Sequence, residues 1–192
     1  MKLMIASDLH GSAYYCRELL KVWEKEAPDK LVLLGDILYH GPRNDLPKEY
    51  APKEVITMLN NIKEHLLCVR GNCDTEVDQM VLQFPILADY AWFYVPCSVQ
   101  AEEPAAEKKE RMIFVTHGHT FNESNLPMLK PGDILIHGHT HVPVCREHED
   151  YIYMNPGSVS IPKENSWHGY MICEDGRFIW KDLSGTEQMS WE

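Results

Sequence analysis

The sequence lacks the features that place a protein in a membrane or send it out of the cell. None of its apolar runs approaches the ~18 residues that a membrane-spanning helix needs. The N-terminus shows no basic segment followed by an apolar stretch, which an export signal would have. We therefore expect a cytoplasmic protein that has no membrane partner.

Positive charge is scarce as well. The 192 residues include 18 Lys and Arg against 29 Asp and Glu, which gives a formal net charge of -11 at pH 7. Proteins that bind the nucleic-acid backbone do so with clustered Lys and Arg, so the composition argues against a nucleic-acid partner. It does not exclude a phosphate substrate, because bound divalent metals would reverse the local field.

The six cysteines include no C-x-x-C pair, so neither a zinc ribbon nor a thioredoxin-type site has support. We expect reduced thiols rather than a disulfide framework. The chain has no internal repeat and no linker, and its length suits one folded unit. We therefore predict a single domain over residues 1–192, with an exposed loop insertion at 101–110 and a loose tail at 184–192.

Apolar strands and amphipathic helices alternate through the first half of the chain. Strands are predicted at 2–6, 31–34 and 66–69, with helices at 14–26 and from residue 51 onward. Such alternation favours parallel strands joined by right-handed crossovers. The second half reads instead as short strands separated by turns. The sequence thus predicts an α/β fold of two mixed sheets, packed face to face with helices outside.

One predicted strand of the second half, from Tyr90 to Val99, begins with a run of aromatic residues that includes Trp92, Phe93 and Tyr94. Aromatic side chains within a strand most often pack in the core of a sheet. A surface on which nucleic-acid bases stack would be the alternative. We interpret the run as sheet core.

Polar side chains that can bind metal follow five of the predicted strands. The segments are Ser7-Asp8-Leu9-His10, Gly35-Asp36, Gly71-Asn72-Cys73-Asp74, His117-Gly118-His119 and His137-Gly138-His139-Thr140-His141. Any one of them alone could be a helix cap or a turn. Together they lie where chemistry gathers in α/β folds, beyond the carboxyl ends of strands. Carboxylate, amide and imidazole donors suit Mn²⁺, Fe²⁺ or Zn²⁺, so the pattern predicts a metal site.

The order D-x-H, G-D, G-N, H-G and G-H-T-H resembles the signature of the calcineurin-like metallophosphoesterases. The segments at 40–44, 69–74 and 155–160 are similar to those of the small bacterial YfcE-type phosphodiesterases. The resemblance covers nearly the whole chain, apart from the 101–110 insertion and the C-terminal tail. It implies a four-layer α/β/β/α sandwich.

The resemblance also implies two divalent metal ions. One would be held by Asp8, His10 and His141, the other by Asn72, His117 and His139, with Asp36 bridging the two. Mn²⁺ is favoured, and Fe, Zn, Ni and Mg are alternatives. A hydroxide that bridges the metals would attack phosphorus in line, without a covalent enzyme intermediate. Asp36, Asn72 and His117 are therefore expected to act in catalysis as well as in metal binding.

Three further residues near these motifs are candidates for a role. Arg43 could form a two-pronged contact with phosphate oxygens, or an ion pair that holds its loop. Many relatives have, in place of Cys73, a His that can protonate the leaving group, although YfcE-type members also have Cys there. The departure points to good leaving groups, to protonation by solvent or to help from Asp74, and Cys73 itself is given no role. His119 and His137 are expected to form hydrogen bonds rather than coordinate metal.

The resulting prediction is an enzyme, a dinuclear phosphodiesterase that acts on a small phosphoester. A phosphomonoesterase acting on phosphoprotein or nucleotide is the alternative with the same site. A protein-binding scaffold that resembles the retromer vacuolar sorting subunit is the alternative from another class. All seven ligand positions carry competent donors, which favours the enzyme. The resemblance also points to a homo-oligomer of undetermined size.

Overall fold

The computed structural model describes residues 1–96 and 110–192. Three α-helices lie in these residues: α1 (Ala13–Glu26), α2 (Pro52–Asn60) and α3 (Glu76–Gln79). The strands are β1 (Lys2–Ala6), β2 (Lys30–Leu33), β3 (Leu66–Cys68), β4 (Tyr90–Pro96), β5 (Glu110–Thr116), β6 (Asp133–His137), β7 (Pro143–Glu147), β8 (Tyr151–Pro156), β9 (Gly169–Glu174), β10 (Arg177–Asp182) and β11 (Glu187–Trp191). In this part of the chain, no helix combines the length and the apolar character that a membrane crossing requires.

The strands form two mixed sheets. The first has six strands in the order β11-β10-β9-β1-β2-β3, and its members β1, β2 and β3 are parallel, as the alternating pattern predicted. The second has five strands in the order β4-β5-β6-β8-β7, of which β5, β6 and β8 are parallel. Parallel neighbours end at the same edge, so each sheet presents a row of carboxyl ends. The predicted α/β sandwich of two mixed sheets is confirmed.

Two apolar layers hold the sheets in place. Between the sheets, residues such as Ile5 and Val32 of the first sheet pack with Val115 and Ile136 of the second. On the other face of the first sheet, α1 and α2 bury an apolar stripe that includes Leu19. Each fully buried aliphatic side chain of this kind stabilises the fold by about 1.5–3 kcal/mol. The sandwich therefore fixes the strand ends relative to one another.

The outer face of the second sheet differs from the predicted fourth layer. No helix of the described residues covers it; Phe114 and Tyr151 pack there against Phe121 and Leu129 from the irregular segment at 118–132. Two prolines and two glycines interrupt that segment, and both residue types disfavour a continuous helix. Packing of irregular chain takes the place of the expected helical layer.

The C-terminal segment is not the loose tail that the sequence analysis predicted. Its strand β11 pairs antiparallel with β10, and Met189 and Trp191 pack against the core between the sheets. These two side chains lie two residues apart, so the pleat of a strand places both on the same face. The predicted loop at 101–110 lies outside the described residues except for Glu110, which begins β5.

The interpretation of the aromatic run as sheet core is correct for one residue and wrong for three. Phe93 packs inward, whereas Tyr90, Trp92 and Tyr94 are 42%, 57% and 56% exposed. Successive side chains of a strand point to opposite faces, so the neighbouring aromatic residues Trp92, Phe93 and Tyr94 must divide between the two faces. The outward three lie on β4, at the edge of the second sheet.

Candidate metal centre

The predicted metal ligands meet at one end of the sandwich. Asp8 and His10 follow β1, Asp36 follows β2 and Asn72 follows β3, all in the first sheet. His117 follows β5, and His139 and His141 follow β6, in the second sheet. Both sheets thus contribute donors, and the structure brings together all seven residues that the sequence analysis named.

The backbone at these positions is held in an uncommon conformation. Non-glycine residues with positive φ are rare because Cβ crowds the backbone, and each such residue costs about 1–3 kcal/mol. Five of the seven predicted ligands have it: Asp8 (φ 60°), His10 (48°), Asp36 (53°), His139 (65°) and His141 (64°). Backbone strain concentrated at one cluster of polar side chains is typical of a functional site.

Hydrogen bonds between the ligand loops maintain this conformation. The backbone N–H groups of Asp8 and His10 donate to the carbonyls of Gly35 (3.2 Å) and Asp36 (2.9 Å). The carbonyl of Asp8 in turn accepts from the hydroxyls of Ser158 (2.9 Å) and Ser160. The turn that carries these serines is one of the segments that resemble the YfcE-type proteins. Its hydroxyl groups hold the loop that follows β1 in place.

Asp74 also acts on the backbone. Its carboxylate accepts N–H bonds from Asp36 (2.8 Å), Ile37 (2.9 Å) and Gly71 (2.7 Å), and the side chain is buried. Since it is fully engaged beneath the β2 and β3 loops and does not line the cleft, we assign it to positioning these loops. The suggested help in proton transfer has no support in this geometry.

The first donor cluster contains Asp8, His10 and His141. His10 Nδ1–H donates to the Tyr39 carbonyl and His141 Nδ1–H to that of Ile161, each at 2.8 Å. Their Nε2 atoms therefore face each other with lone pairs, 3.2 Å apart. Asp8 Oδ1 lies 3.5 Å from His10 Nε2 and 3.2 Å from His141 Nε2; it is buried and accepts no hydrogen bond from the residues that the structure describes. These converging lone pairs and the buried carboxylate oxygen without a partner require a cation between them.

The second cluster contains Asn72, His117 and His139. His117 Nδ1–H donates to the Leu34 carbonyl at 2.7 Å, which leaves Nε2 to face the cleft. That nitrogen lies 3.0 Å from Asn72 Oδ1 and 3.1 Å from His139 Nδ1. Here too the donors converge. A bond from the far ring nitrogen to a backbone carbonyl, which fixes the ring of a metal-binding histidine, recurs in His10, His117 and His141.

Asp36 lies between the clusters. Its Oδ2 is 3.5 Å from His117 Nε2 and 3.8 Å from His10 Nε2, while Oδ1 accepts the Cys73 backbone N–H at 2.8 Å. A Cβ added at Gly71 would collide with this carboxylate and with the Asp36 backbone, so glycine is needed where the two loops meet. The geometry suits a carboxylate that serves both clusters.

The charges of the site respond to one another. Burial alone would raise the pKa of both carboxyls, but His10 and His141 hold the pKa of Asp8 well below its usual value, and His117 lowers that of Asp36. Both groups are therefore carboxylates at neutral pH. They create a buried anionic centre that demands positive charge nearby.

The site shifts the pKa values of two of its histidines in opposite directions. Burial would lower the pKa of His117, but the carboxylates of Asp36 and Asp8 raise it to about 9. Burial, aided by the charge on His117, lowers the pKa of His139 to about 4. In the metal-free protein a proton on His117 therefore supplies positive charge. The donor types and their unmet charge fit divalent metal ions.

The remaining predicted neighbours occupy distinct places. Cys73 is half-buried beside Asp36, and burial together with that carboxylate raises the pKa of its thiol. His137 is buried, stacks on Tyr153 at 4.5 Å and donates from Nδ1 to the Gly138 carbonyl, so it is a structural residue. His119 is exposed, with its ring 5.5 Å from that of His117.

A cleft of about 410 Å³ opens over the two clusters. Asp36, Asn72, Cys73, His139 and His141 form its floor, and two cationic residues, Arg43 and Lys163, also line it. Sequence reasoning missed Lys163 because no motif marks it. The only available signal was its position shortly after the Asn155–Ser160 turn.

Comparison with known proteins agrees with this geometry. A model of the calcineurin-like phosphoesterase superfamily domain matches residues 1–175. Phosphodiesterase YfcE of Escherichia coli K12 is 46% identical over 175 residues, which are 91% of this chain and 88% of that protein.

Solved structures agree as well. The structure of E. coli YfcE, described as a phosphoesterase, has a TM-score of 0.87 at 41% identity and covers 100% of this chain and 98% of that one. Vacuolar protein sorting 29 from Cryptosporidium parvum has a TM-score of 0.57 at 18% identity, over 99% and 97% of the two chains, and shares the fold alone. From its fold, its donor clusters and these matches, the chain belongs to the calcineurin-like phosphoesterase superfamily and is a metal-dependent phosphoesterase.

Proposed function

We propose that the protein hydrolyses small phosphodiesters at two divalent metal ions. The observation that carries the proposal is the convergence of both donor clusters on Oδ2 of Asp36, within 3.5 Å of His117 Nε2 and 3.8 Å of His10 Nε2. The phosphodiesterase activity named for the E. coli relative, at 46% identity, supports a diester over a monoester substrate.

The chain's own residues would hold both ions. Asp8, His10 and His141 suit one, Asn72, His117 and His139 suit the other, and Asp36 serves both. Mn²⁺ is favoured for this mixture of oxygen and nitrogen donors, with Fe, Zn, Ni and Mg as alternatives. When bound, such a pair lowers the pKa of a shared water and stabilises the charge that develops during in-line attack on phosphorus.

Two cleft residues shape the rest of the reaction. The Arg43 guanidinium has the geometry to hold two phosphate oxygens at once, and among the described residues it has no ion-pair partner. The Cys73 thiol is a poor acid because burial and Asp36 raise its pKa. We therefore assign protonation of the leaving group to solvent, and expect the enzyme to prefer substrates with good leaving groups.

The direct test is hydrolysis of bis(p-nitrophenyl) phosphate by chelator-stripped protein, before and after refilling with Mn²⁺. We expect activity only after refilling. Inactivity of folded protein whose metal content has been confirmed would reject the diesterase. Faster hydrolysis of p-nitrophenyl phosphate under the same conditions would favour the monoesterase instead.

Asp36→Asn tests the shared carboxylate. Asparagine tolerates the left-handed backbone of this position and keeps the side-chain shape, but it removes the charge. We expect activity to fall by at least about 100-fold. Loss of a residue that only supports a metal ligand usually costs about 10- to 100-fold, so the loss of a ligand itself should cost more. Asp45→Asn, an exposed neighbour in the same loop, is the matched control and should stay at the wild-type rate. Wild-type activity of Asp36→Asn would remove the bridging assignment.

A further inference from the structure

The metal cleft carries two cationic side chains besides the predicted metal ligands. Arg43 comes from the loop after β2, and Lys163 from the segment after β8. Within the described residues neither side chain forms an ion pair or hydrogen bond. Elsewhere in the molecule several cations are paired with carboxylates, as Lys181 is with Glu26 at 2.6 Å. Two free cations therefore face one cleft of an acidic protein.

Lys163 is anchored to a predicted metal ligand through its backbone. Its N–H donates to the His141 carbonyl at 3.1 Å, and the carbonyl of nearby Ile161 accepts from His141 Nδ1 at 2.8 Å. The Ser166 N–H and hydroxyl both donate to the Lys163 carbonyl, which closes a tight turn. The Cα of Lys163 is thus fixed relative to the metal centre, and the exposed side chain can extend into the cleft.

Arg43 is anchored in a comparable way. The loop that carries it also supplies the Tyr39 carbonyl to His10 Nδ1 at 2.8 Å, and Asn44 Nδ2 donates to the His40 carbonyl at 2.8 Å within the loop. Each cation is therefore tied to a different histidine of the first donor cluster. The two cations therefore reach the cleft from two different loops, Arg43 from the loop after β2 and Lys163 from the segment after β8.

The scissile group of a phosphodiester carries one negative charge. The combined positive charge of two divalent ions and Arg43 would already exceed that charge without Lys163. We propose that Lys163 binds a second anionic group of the substrate, so that the natural substrate is a phosphodiester with an additional phosphate. This inference rests on the proposed diesterase function. The cleft, at about 410 Å³, falls within the range of cavities that bind small molecules whole. A lysine is a point charge that suits a terminal phosphate without fixing its orientation.

The test compares two substrates with the same leaving group: thymidine 5′-(p-nitrophenyl phosphate) and its 3′-phosphorylated form. With Mn²⁺-loaded wild-type protein we expect kcat/KM to be about 10-fold higher for the phosphorylated form, the size of a charge-assisted hydrogen bond at a partly exposed site. Lys163→Met should remove the preference by raising KM for the phosphorylated form. Its kcat/KM for the simple diester should stay within about twofold of the wild-type value. Lys163→Arg should retain the preference.

Lys130→Met is the matched control, because Lys130 is an exposed lysine next to the start of β6, at the opposite end of that strand from the metal centre. It should keep the wild-type preference. Calorimetric binding of thymidine 3′,5′-bisphosphate and thymidine 5′-monophosphate gives a readout that does not depend on turnover. Lys163→Met should weaken binding of the bisphosphate by about 10-fold and leave binding of the monophosphate unchanged.

The outcomes separate the two proposals. Equal kcat/KM of wild-type protein for both thymidine diesters, or a preference that survives in Lys163→Met, would overturn the role of Lys163 and leave the diesterase intact. A 3′-carboxymethyl analogue that is preferred as strongly as the phosphate would overturn the assignment to phosphate. Inactivity of metal-loaded protein on every diester would overturn the proposed function, and the inference with it.

Discussion

His117 links the protonation of the site to its metal affinity. Its pKa in the folded, metal-free protein is about 9, against an ordinary value of 6.5, because Asp36 and Asp8 outweigh the effect of burial. A raised folded-state pKa means that the protonated ring stabilises the fold, fully below pH 6.5 and progressively less as pH rises through 9. Metal binding must displace this proton, so metal affinity rises as pH rises.

We therefore predict that chelator-stripped protein loses stability between about pH 6.5 and 9, while its apparent affinity for Mn²⁺ rises over the same interval. Urea denaturation and calorimetric Mn²⁺ titration at several pH values measure the two trends. His117→Gln should flatten the stability trend, since glutamine does not titrate. A stripped wild-type protein whose stability is constant across the interval would contradict the raised pKa.

Sequence could identify the candidate donors of the site but not the residues whose place depends on backbone hydrogen bonds. Asp8, His10 and Asp36 stand in recognisable spacings, and their chemistry follows from residue type. Asp74 accepts from three backbone N–H groups that converge only after folding. The proposed role of Lys163 depends on its place in the cleft, which a hydrogen bond from its backbone N–H to the His141 carbonyl fixes. Neither contact leaves a local pattern in the chain.

The same distinction holds for the secondary-structure elements. The parallel strands β1, β2 and β3 were predictable, because their apolar runs alternate with amphipathic helical patterns. Strand β11 was not, since its only large apolar residues are Met189 and Trp191 among polar neighbours, and pairing with β10 decides its state. Among the described residues no helix covers the outer face of the second sheet, because prolines and glycines interrupt the segment at 118–132, and the family resemblance alone did not reveal this.

Strand β11 should contribute measurably to stability. The Trp191 ring packs against Phe178 at 5.9 Å between centroids, lies 5.0 Å from the Arg111 guanidinium and donates from Nε1 to Glu147 at 2.6 Å. We expect Trp191→Ala to lower the free energy of unfolding by about 1–3 kcal/mol, since it removes packing and a polar contact from a partly buried site.

The measurement is urea denaturation of Trp191→Ala beside Ser190→Ala, whose exposed side chain lies in the same strand. Ser190→Ala should remain within about 0.5 kcal/mol of wild type. The activity of Trp191→Ala below its melting range should be unchanged, because the strand is far along the sheet order from the metal centre. A stability equal to wild type would show that the segment behaves as the loose tail first expected.

At the scale of the molecule, the metal centre joins the two sheets. Asp8, His10 and Asp36 come from the first sheet, and His117, His139 and His141 come from the second. Alternation of strands and helices places donors at strand ends, but nothing in it requires two separate sheets to turn their carboxyl ends to the same side. That arrangement arises from sheet packing, which local sequence does not encode.

A centre built from both sheets should stabilise the folded state when metal binds. Unfolded chain scatters the seven donors, so metal bound to the native site stabilises it by about 2.7 kcal/mol when the free ion is at 100 times its dissociation constant. For a chain of this size each kcal/mol raises Tm by roughly 2–4 °C. We therefore expect each Mn²⁺ ion that binds to raise the Tm of stripped protein by roughly 5–11 °C.

Thermal melts of wild type, Asp36→Asn and Asp45→Asn with and without Mn²⁺ test this directly. Loss of the shared carboxylate should remove most of the shift in Asp36→Asn, whereas the shift in Asp45→Asn should match wild type. Because protons compete with Mn²⁺ for His117, the wild-type shift should also shrink as pH falls from about 9 to 6.5. An equal shift in all three proteins would mean that Mn²⁺ stabilises the molecule somewhere other than the site between the sheets.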